Sequence, residues 1–300
     1  MKVEYLENCP VCKNKTFLNF LTCKDYTVSK QNFSIVECSN CRFKFTNPRP
    51  VEEEIGAFYK SDTYISHTNK NVGLISVIYK LVRKYTLQQK VKLINKYAKK
   101  GRLLDIGCGT GYFLKEAKNN KWGITGVEPD DNARKLAKQN TDAIINKDVF
   151  CCFDKSDSFD VITMWHVLEH VHKLDETLSK IEEIIDEKGV LFIAVPNNES
   201  YDAEYYKEQW AAYDLPRHLY HFSKDNIEKL LAQYHFRLAD IVPMKFDSYY
   251  VSMLSEKYRA EELITKDSKI RAFINGLKSN KEAKNNYNYS SNIYVFKKIK

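Results

Sequence analysis

The 300-residue sequence predicts an α/β fold with a small metal-stabilised module at its amino terminus. Two observations support this prediction. Between residues 102 and 196, short apolar runs alternate with segments of helical periodicity, the pattern of a parallel sheet whose crossovers are helices. Ahead of this region, two Cys-x-x-Cys pairs occur in a stretch too small to build a core of its own.

The chain divides into three predicted parts. Residues 1–50 form a zinc-ribbon-like module that ends at Asn47-Pro48-Arg49-Pro50, because proline disfavours continuation of a helix or a strand. Residues 51–100 form a helical linker region, and residues 101–300 form the α/β domain. Within the linker we predict a short acidic helix over 51–60, a polar loop over 61–72 and a long helix over 74–99.

The four cysteines of the first module are candidate metal ligands. Each Cys-x-x-Cys pair places two thiolates on one tight turn, and two such turns complete the tetrahedron that Zn²⁺ prefers. Disulfides are disfavoured in a chain without a secretory signal pattern, which leaves a structural zinc ion or unbound thiols. The predicted zinc ligands are Cys9, Cys12, Cys38 and Cys41.

A glycine-rich turn follows the first predicted strand of the α/β domain. Gly107, Gly109 and Gly111 stand at alternate positions, from the end of the predicted strand 102–107 to the start of a predicted helix. Neither the dinucleotide fingerprint GxGxxG nor the phosphate loop GxxxxGK is present. A loop at the carboxyl end of a first parallel strand is nevertheless where open α/β sheets bind nucleoside cofactors.

An acid follows the second predicted strand. Glu128 comes directly after the apolar segment 123–127, and a carboxylate there can accept hydrogen bonds from the two hydroxyls of a ribose. The alternative is an ordinary surface acid before a turn. The pairing with the upstream glycine turn favours the ribose role.

These residues resemble a known family. The D-x-G-x-G-x-G pattern over 105–111 resembles motif I of class I S-adenosylmethionine-dependent methyltransferases. The segment Trp165–Val171, which contains Leu-Glu-His-Val, looks like the corresponding segment of small-molecule methyltransferases, including the ubiquinone-pathway O-methyltransferases. The resemblance implies a Rossmann-like, seven-stranded, mostly parallel sheet with its last strand reversed, and S-adenosylmethionine as cofactor.

The resemblance also implies roles for individual residues. Glu128 would bind the ribose, Asp105 would lie near the methionine end, Asp148 would bind the adenine amino group, and His166 would lie near the sulfonium. A turn-capping role for Asp148 is the alternative. The implied cofactor-binding set is Asp105, Gly107, Cys108, Gly109, Gly111, Glu128, Asp148 and His166.

Two histidines are candidate catalytic bases. His218 lies in Pro216-Arg217-His218-Leu219, a segment that recurs in zinc-ribbon methyltransferases, and either His218 or His166 could take a proton from a substrate hydroxyl. Alternatively, Arg217 and His218 only fix their loop by hydrogen bonds. His166, Glu169 and His170 also form an HxxEH pattern that could bind a metal.

The distribution of charge along the chain indicates which class of methyl acceptor to expect. The net charge is +8, of which residues 266–300 carry +7, so the α/β domain otherwise lacks the concentrated basic footprint of a nucleic-acid enzyme. We therefore predict methyl transfer, most readily to oxygen, onto a small molecule such as a sugar precursor, a lipid-linked compound or a quinone-like compound. An RNA methyltransferase and an inactive cofactor-binding module are the alternatives.

The lack of a signal pattern or a membrane-length apolar run predicts a cytoplasmic enzyme, and the oligomeric state is left open.

Overall fold

The computed structural model of the protein describes residues 1–59, 74–150 and 152–299, with the backbone alone for residues 74–81. The loop predicted over 61–72 lies outside the described residues. The amino-terminal part contains five short strands. They are β1 (Val3–Glu4), β2 (Phe17–Lys24), β3 (Asn32–Cys38), β4 (Lys44–Thr46) and β5 (Arg49–Pro50).

A seven-stranded sheet forms the centre of the molecule. Its order is β8-β7-β6-β9-β10-β13-β12, and β13 runs in the direction opposite to that of the other six strands. The predicted mostly parallel sheet with a reversed last strand is thereby confirmed. The bounds of the later strands are β6 (Arg102–Ile106), β7 (Gly123–Val127), β8 (Ile144–Asn146), β9 (Phe159–Trp165), β10 (Ile185–Pro196), β11 (Tyr220–His221), β12 (Phe236–Pro243) and β13 (Ser291–Lys298).

Helices connect the strands and cover the sheet. Two helices form between β12 and β13, separated by a turn at Ile264 whose φ is 53°. The helices are α1 (Glu52–Ile55), α2 (Leu74–Tyr97), α3 (Tyr112–Asn119), α4 (Asp131–Thr141), α5 (Leu174–Ile184), α6 (Tyr201–Tyr206), α7 (Lys224–Ala232), α8 (Asp247–Leu263) and α9 (Lys269–Asn286). Single 3₁₀ turns cover Gly56–Tyr59, Leu168–His170, Lys207–Gln209 and Ala211–Tyr213.

The hydrophobic core runs without a break from the large sheet into the amino-terminal module. Strand β11, which lies in the long connection between β10 and β12, pairs with β4 and completes the four-stranded sheet β2-β3-β4-β11. Phe43 and Phe45 are fully buried, and the Phe43 ring lies 5.6 Å from that of Phe222. The segment around His218, a candidate catalytic base, therefore packs as part of the module that carries the cysteines.

Candidate active site

The three glycines of the loop between β6 and α3 have different surroundings, although all three adopt positive φ. A Cβ at Gly107 would lie 2.4 Å from Val167 Cγ2, and one at Gly111 would lie 3.1 Å from the Cα of Ala137 on α4. A Cβ at Gly109 would meet no atom within 4 Å. Gly107 and Gly111 therefore permit close packing within the protein, whereas Gly109 borders open space at the carboxyl edge of the sheet.

Glu128 is tied directly to this loop. Its Oε2 accepts a hydrogen bond from Gly109 N–H at 2.8 Å, and its Oε1 accepts one from Asp130 N–H at 2.9 Å. Burial raises the pKa of the Glu128 carboxyl, while the two backbone N–H groups oppose that rise. Because each carboxylate oxygen has a second lone pair, the side chain can still accept bonds from two ligand hydroxyls beside Gly109.

Asp105 lies buried at the end of β6, and Thr163 of β9 donates a hydrogen bond to its Oδ1 at 2.6 Å. Burial raises the pKa of Asp105 to about 7, partly offset by the Thr163 bond and by the nearby ammonium of Lys90. Lys90 stands on α2, and its Nζ lies 4.3 Å from the centre of the Trp165 ring. Sequence reasoning missed Lys90, because a single lysine in a lysine-rich helix carries no signal.

His166 follows β9 directly, in the left-handed region at φ 58°. Its Nδ1 lies 3.3 Å from Glu169 Oε1, and its Nε2 lies 3.3 Å from Asp247 Oδ2 at the start of α8. Although burial opposes the charge, these two carboxylates raise the pKa of His166 to about 9. A charged ring with both nitrogens facing carboxylates has no free lone pair for a substrate proton. Asp247 was also missed by sequence reasoning.

The two histidines and the glutamate of the HxxEH pattern do not form a single metal-binding cluster, although their spacing suggests one. His166 turns towards Asp247 and is not part of the cluster. The cluster consists instead of Glu169, His170 and His218, whose ligand atoms lie within 4.8 Å of one another. Nδ1 of His170 donates to the carbonyl of Arg217 at 3.0 Å, and Nδ1 of His218 donates to the carbonyl of Ala212 at 2.8 Å. Each ring therefore keeps Nε2 for a proton or a cation. Glu169 is fully buried between them.

Arg217 anchors the segment that carries His218. Its side chain is fully buried, and it donates two hydrogen bonds to Asp214, at 2.9 and 2.6 Å. It donates further bonds to Asp25 of the amino-terminal module at 3.1 Å and to the Phe58 carbonyl at 3.1 Å. The guanidinium thus joins the cysteine-bearing module, the linker and the histidine segment.

Asp148 and two tyrosines of the histidine segment add less to the description of the site. Asp148 accepts a hydrogen bond from Phe150 N–H at 2.8 Å, the turn contact that was its alternative role, and its adenine contact stays a prediction. Tyr213 and Tyr220 are buried against protein atoms. The Tyr220 hydroxyl accepts a bond from Arg49 at 2.9 Å.

The four cysteines of the module converge. The Sγ atoms of Cys9 and Cys41 lie 3.5 Å apart, as do those of Cys12 and Cys38, and all four lie within 4.8 Å of one another. A zinc ion with Zn–S bonds of about 2.3 Å needs sulfur–sulfur distances of about 3.8 Å. The donor set therefore fits a structural zinc ion.

The sheet order, the glycine loop after β6 and the acid after β7 together define a class I S-adenosylmethionine-dependent methyltransferase. Residues 79–241, just over half of the chain, match the family described as a methyltransferase domain. The chain belongs to this family. A helix long and apolar enough to cross a membrane is not found among the described residues.

Characterised relatives are distant. The chain is 27% identical over 157 residues to the mitochondrial ubiquinone biosynthesis O-methyltransferase of Saccharomyces cerevisiae, a match covering 46% of this chain and 50% of that protein. The enzyme of the same name from Glaesserella parasuis is 24% identical over 163 residues, covering 49% of this chain and 69% of that one. The chain thus spans half of the yeast enzyme's length.

Solved structures share the fold. Magnesium protoporphyrin IX methyltransferase from Synechocystis, solved with bound SAH, superposes with a TM-score of 0.54 at 13% identity, covering 83% of this chain and all of that one. An S-adenosylmethionine-dependent methyltransferase from Archaeoglobus fulgidus gives 0.50 at 20% identity, covering 72% and 94%.

Proposed function

We propose that the protein transfers a methyl group from S-adenosylmethionine to a hydroxyl oxygen of a small molecule. The observation that carries the proposal is the loop at Gly109, where open space adjoins a buried carboxylate already bonded to the loop backbone. Glu128 would hold the ribose hydroxyls, and Asp105 with Lys90 would face the amino and carboxylate groups of the methionine end. The distant ubiquinone O-methyltransferase relatives support oxygen as the acceptor atom.

The sulfonium carries the reactivity, so the chain's own groups have to position the acceptor and remove its proton. We assign the base role to His218 rather than His166. His218 keeps Nε2 unengaged while its Nδ1 is fixed by the Ala212 carbonyl, whereas both nitrogens of His166 face carboxylates. His166 would then hold Glu169 and Asp247 in place at the edge of the site.

The trio Glu169, His170 and His218 also has a donor set that a divalent cation accepts. Titration of the zinc-loaded protein with Mn²⁺, followed by electron paramagnetic resonance, separates the two roles. Tight Mn²⁺ binding that His218→Gln abolishes would assign His218 to a metal instead of a proton. Absence of binding supports the base role.

A structural zinc ion at Cys9, Cys12, Cys38 and Cys41 belongs to the same proposal. Its support is the sulfur geometry, and Asn14 Nδ2 donates to Cys38 Sγ at 3.6 Å as an outer partner of that thiolate. Elemental analysis should find about one zinc per chain. The double variant Cys38→Ser, Cys41→Ser should lose it, with Cys152→Ser as the control because that thiol is exposed and distant in sequence.

The experiment for the whole proposal is methyl transfer from labelled S-adenosylmethionine to a panel of acceptors. The panel holds catechol-type and quinol-type hydroxyl compounds, sugar nucleotides and ribosomal RNA. Label on a small hydroxyl compound, lost in His218→Gln with cofactor affinity retained, supports the assignment. Label on RNA alone would make the protein an RNA methyltransferase. Cofactor binding with no transfer to any acceptor would favour an inactive binding module.

A further inference from the structure

The helical hairpin of α8 and α9 turns its large apolar side chains towards solvent. The buried face of α9 consists of small and polar residues, namely Ala272, Asn275, Gly276, Ser279 and Ala283. The opposite face carries Ile270, Phe273, Ile274 and Leu277, which are 76%, 57%, 54% and 47% exposed. An ordinary surface helix has the reverse arrangement, with the large apolar side chains against the core.

The exposed apolar residues continue to the tip of the hairpin. Leu263 is 58% exposed and Ile264 is 93% exposed at the turn between the two helices. We call these two residues and the four on α9 the apolar patch. Isolated exposed apolar residues are common on proteins, but a contiguous group at i, i+3, i+4 and i+7 marks an interaction surface.

Charge around the apolar patch indicates what it contacts. Residues 263–286, which contain the apolar patch, hold six basic and two acidic residues, and the adjacent Glu261 is paired with Lys24 and Lys30. Lys266 and Lys269 are exposed at the start of α9, and Lys278 and Lys281 are exposed further along the same helix. A second copy of this chain would bring like charges together, and an apolar helix face of this kind is unlike the polar, strongly basic surfaces that bind nucleic acids.

We propose that the apolar patch docks this protein onto the surface of an anionic lipid bilayer. A helix with lysines beside leucine, isoleucine and phenylalanine side chains lies in the plane of the bilayer interface, with its apolar face among the upper acyl chains. The lysines add electrostatic attraction to anionic headgroups. Such docking needs no spanning helix, in keeping with the helices described here.

Docking through this hairpin would also orient the active site. Helix α8 begins at Asp247, whose carboxylate lies 3.3 Å from His166 Nε2, and Tyr249 on the same helix packs against Phe273 with ring centres 5.5 Å apart. The hairpin of α8 and α9 therefore connects the active site directly to the apolar patch. The docking itself does not depend on the proposed methyl transfer.

Flotation with lipid vesicles tests the proposal on the full-length, zinc-loaded protein. Vesicles of phosphatidylcholine alone are compared with vesicles containing phosphatidylglycerol. We expect binding to the anionic vesicles that weakens with salt, and at least about tenfold less binding for Phe273→Ser, Leu277→Ser. The matched control is Ile144→Ser, since Ile144 is 70% exposed on β8 at the opposite edge of the sheet.

Three results would overturn the proposal. The first is that the wild-type chain does not float with the vesicles. The second is that the wild-type chain and the Phe273→Ser, Leu277→Ser variant float equally well. The third is that the wild-type chain sediments as a dimer and this variant as a monomer. Calorimetric binding of S-adenosylmethionine by each variant shows that it is folded. Failure of that binding in the wild-type chain would refute the proposed function and leave the vesicle result standing.

Discussion

Replacement of Gly109 by alanine tests how the glycine loop is used. The structure predicts a small cost in folding, because the new Cβ meets no atom within 4 Å. The remaining cost in folding free energy comes from the left-handed backbone at φ 54°, which costs an L-residue about 1–2 kcal/mol. The methyl group would occupy the open space beside Glu128, so cofactor affinity should fall at least about tenfold, or about 1.4 kcal/mol.

The matched control is Gly111→Ala in the same loop. Its φ of 80° carries the same strain, and its Cβ would also press on Ala137 Cα at 3.1 Å and Thr141 Cγ2 at 3.0 Å. Overpacking of this kind adds about 1–3 kcal/mol, so Gly111→Ala should lose about 2–5 kcal/mol of folding stability. Urea denaturation measures stability and titration calorimetry measures cofactor affinity. Unchanged cofactor affinity in Gly109→Ala would refute the placement of the cofactor over this residue.

Other substitutions test the remaining contacts. Glu128→Ala should weaken cofactor binding by about 1–3 kcal/mol in calorimetry, because charge-assisted hydrogen bonds are lost, and an unchanged affinity would remove the ribose role. Cofactor affinity should rise between pH 6 and about pH 7.5, as the Asp105 carboxyl, with its pKa raised to about 7, becomes ionised while Lys90, whose pKa burial lowers to about 8, still carries most of its charge. Asp105→Asn should abolish that rise, and a persistent rise would point to another group. Arg217→Met should cost about 3–5 kcal/mol in urea denaturation, since it leaves the buried Asp25 carboxylate unpaired. A loss below about 1 kcal/mol would show that water or another cation replaces the guanidinium.

The central sheet was predictable because each of its strands has a local signature. Strand β7 was predicted with the bounds that the structure shows, and β6 ends one residue before the predicted strand 102–107. Strand β10 is longer than the apolar run 190–195, because its first residues pair only at Ile185 before the register shifts. Short apolar runs bounded by glycine or proline identify buried strands, but they do not show how far the pairing extends.

The candidate site was predictable in part. Gly109 and Glu128 were found from the sequence because each follows a predicted strand directly. A glycine turn or an acid at that position indicates a cofactor site. Lys90 and Asp247 reach the site from helices that lie before and after the glycine loop in sequence. A lone lysine or aspartate has no local pattern, so such residues are found only when the packing of the helices is known.

The sequence by itself determined the alternation of strands and helices, the glycine loop, the acid after β7 and the two cysteine pairs, since periodicity and spacing are local properties. Tertiary structure alone decided that β11 completes the amino-terminal sheet and that Arg217 reaches Asp25, 192 positions away. It also decided that His166 turns to Asp247 and that α9 exposes its large apolar face. These features depend on contacts between distant segments, whose free energy comes from burial and ion pairing that no single stretch of chain encodes.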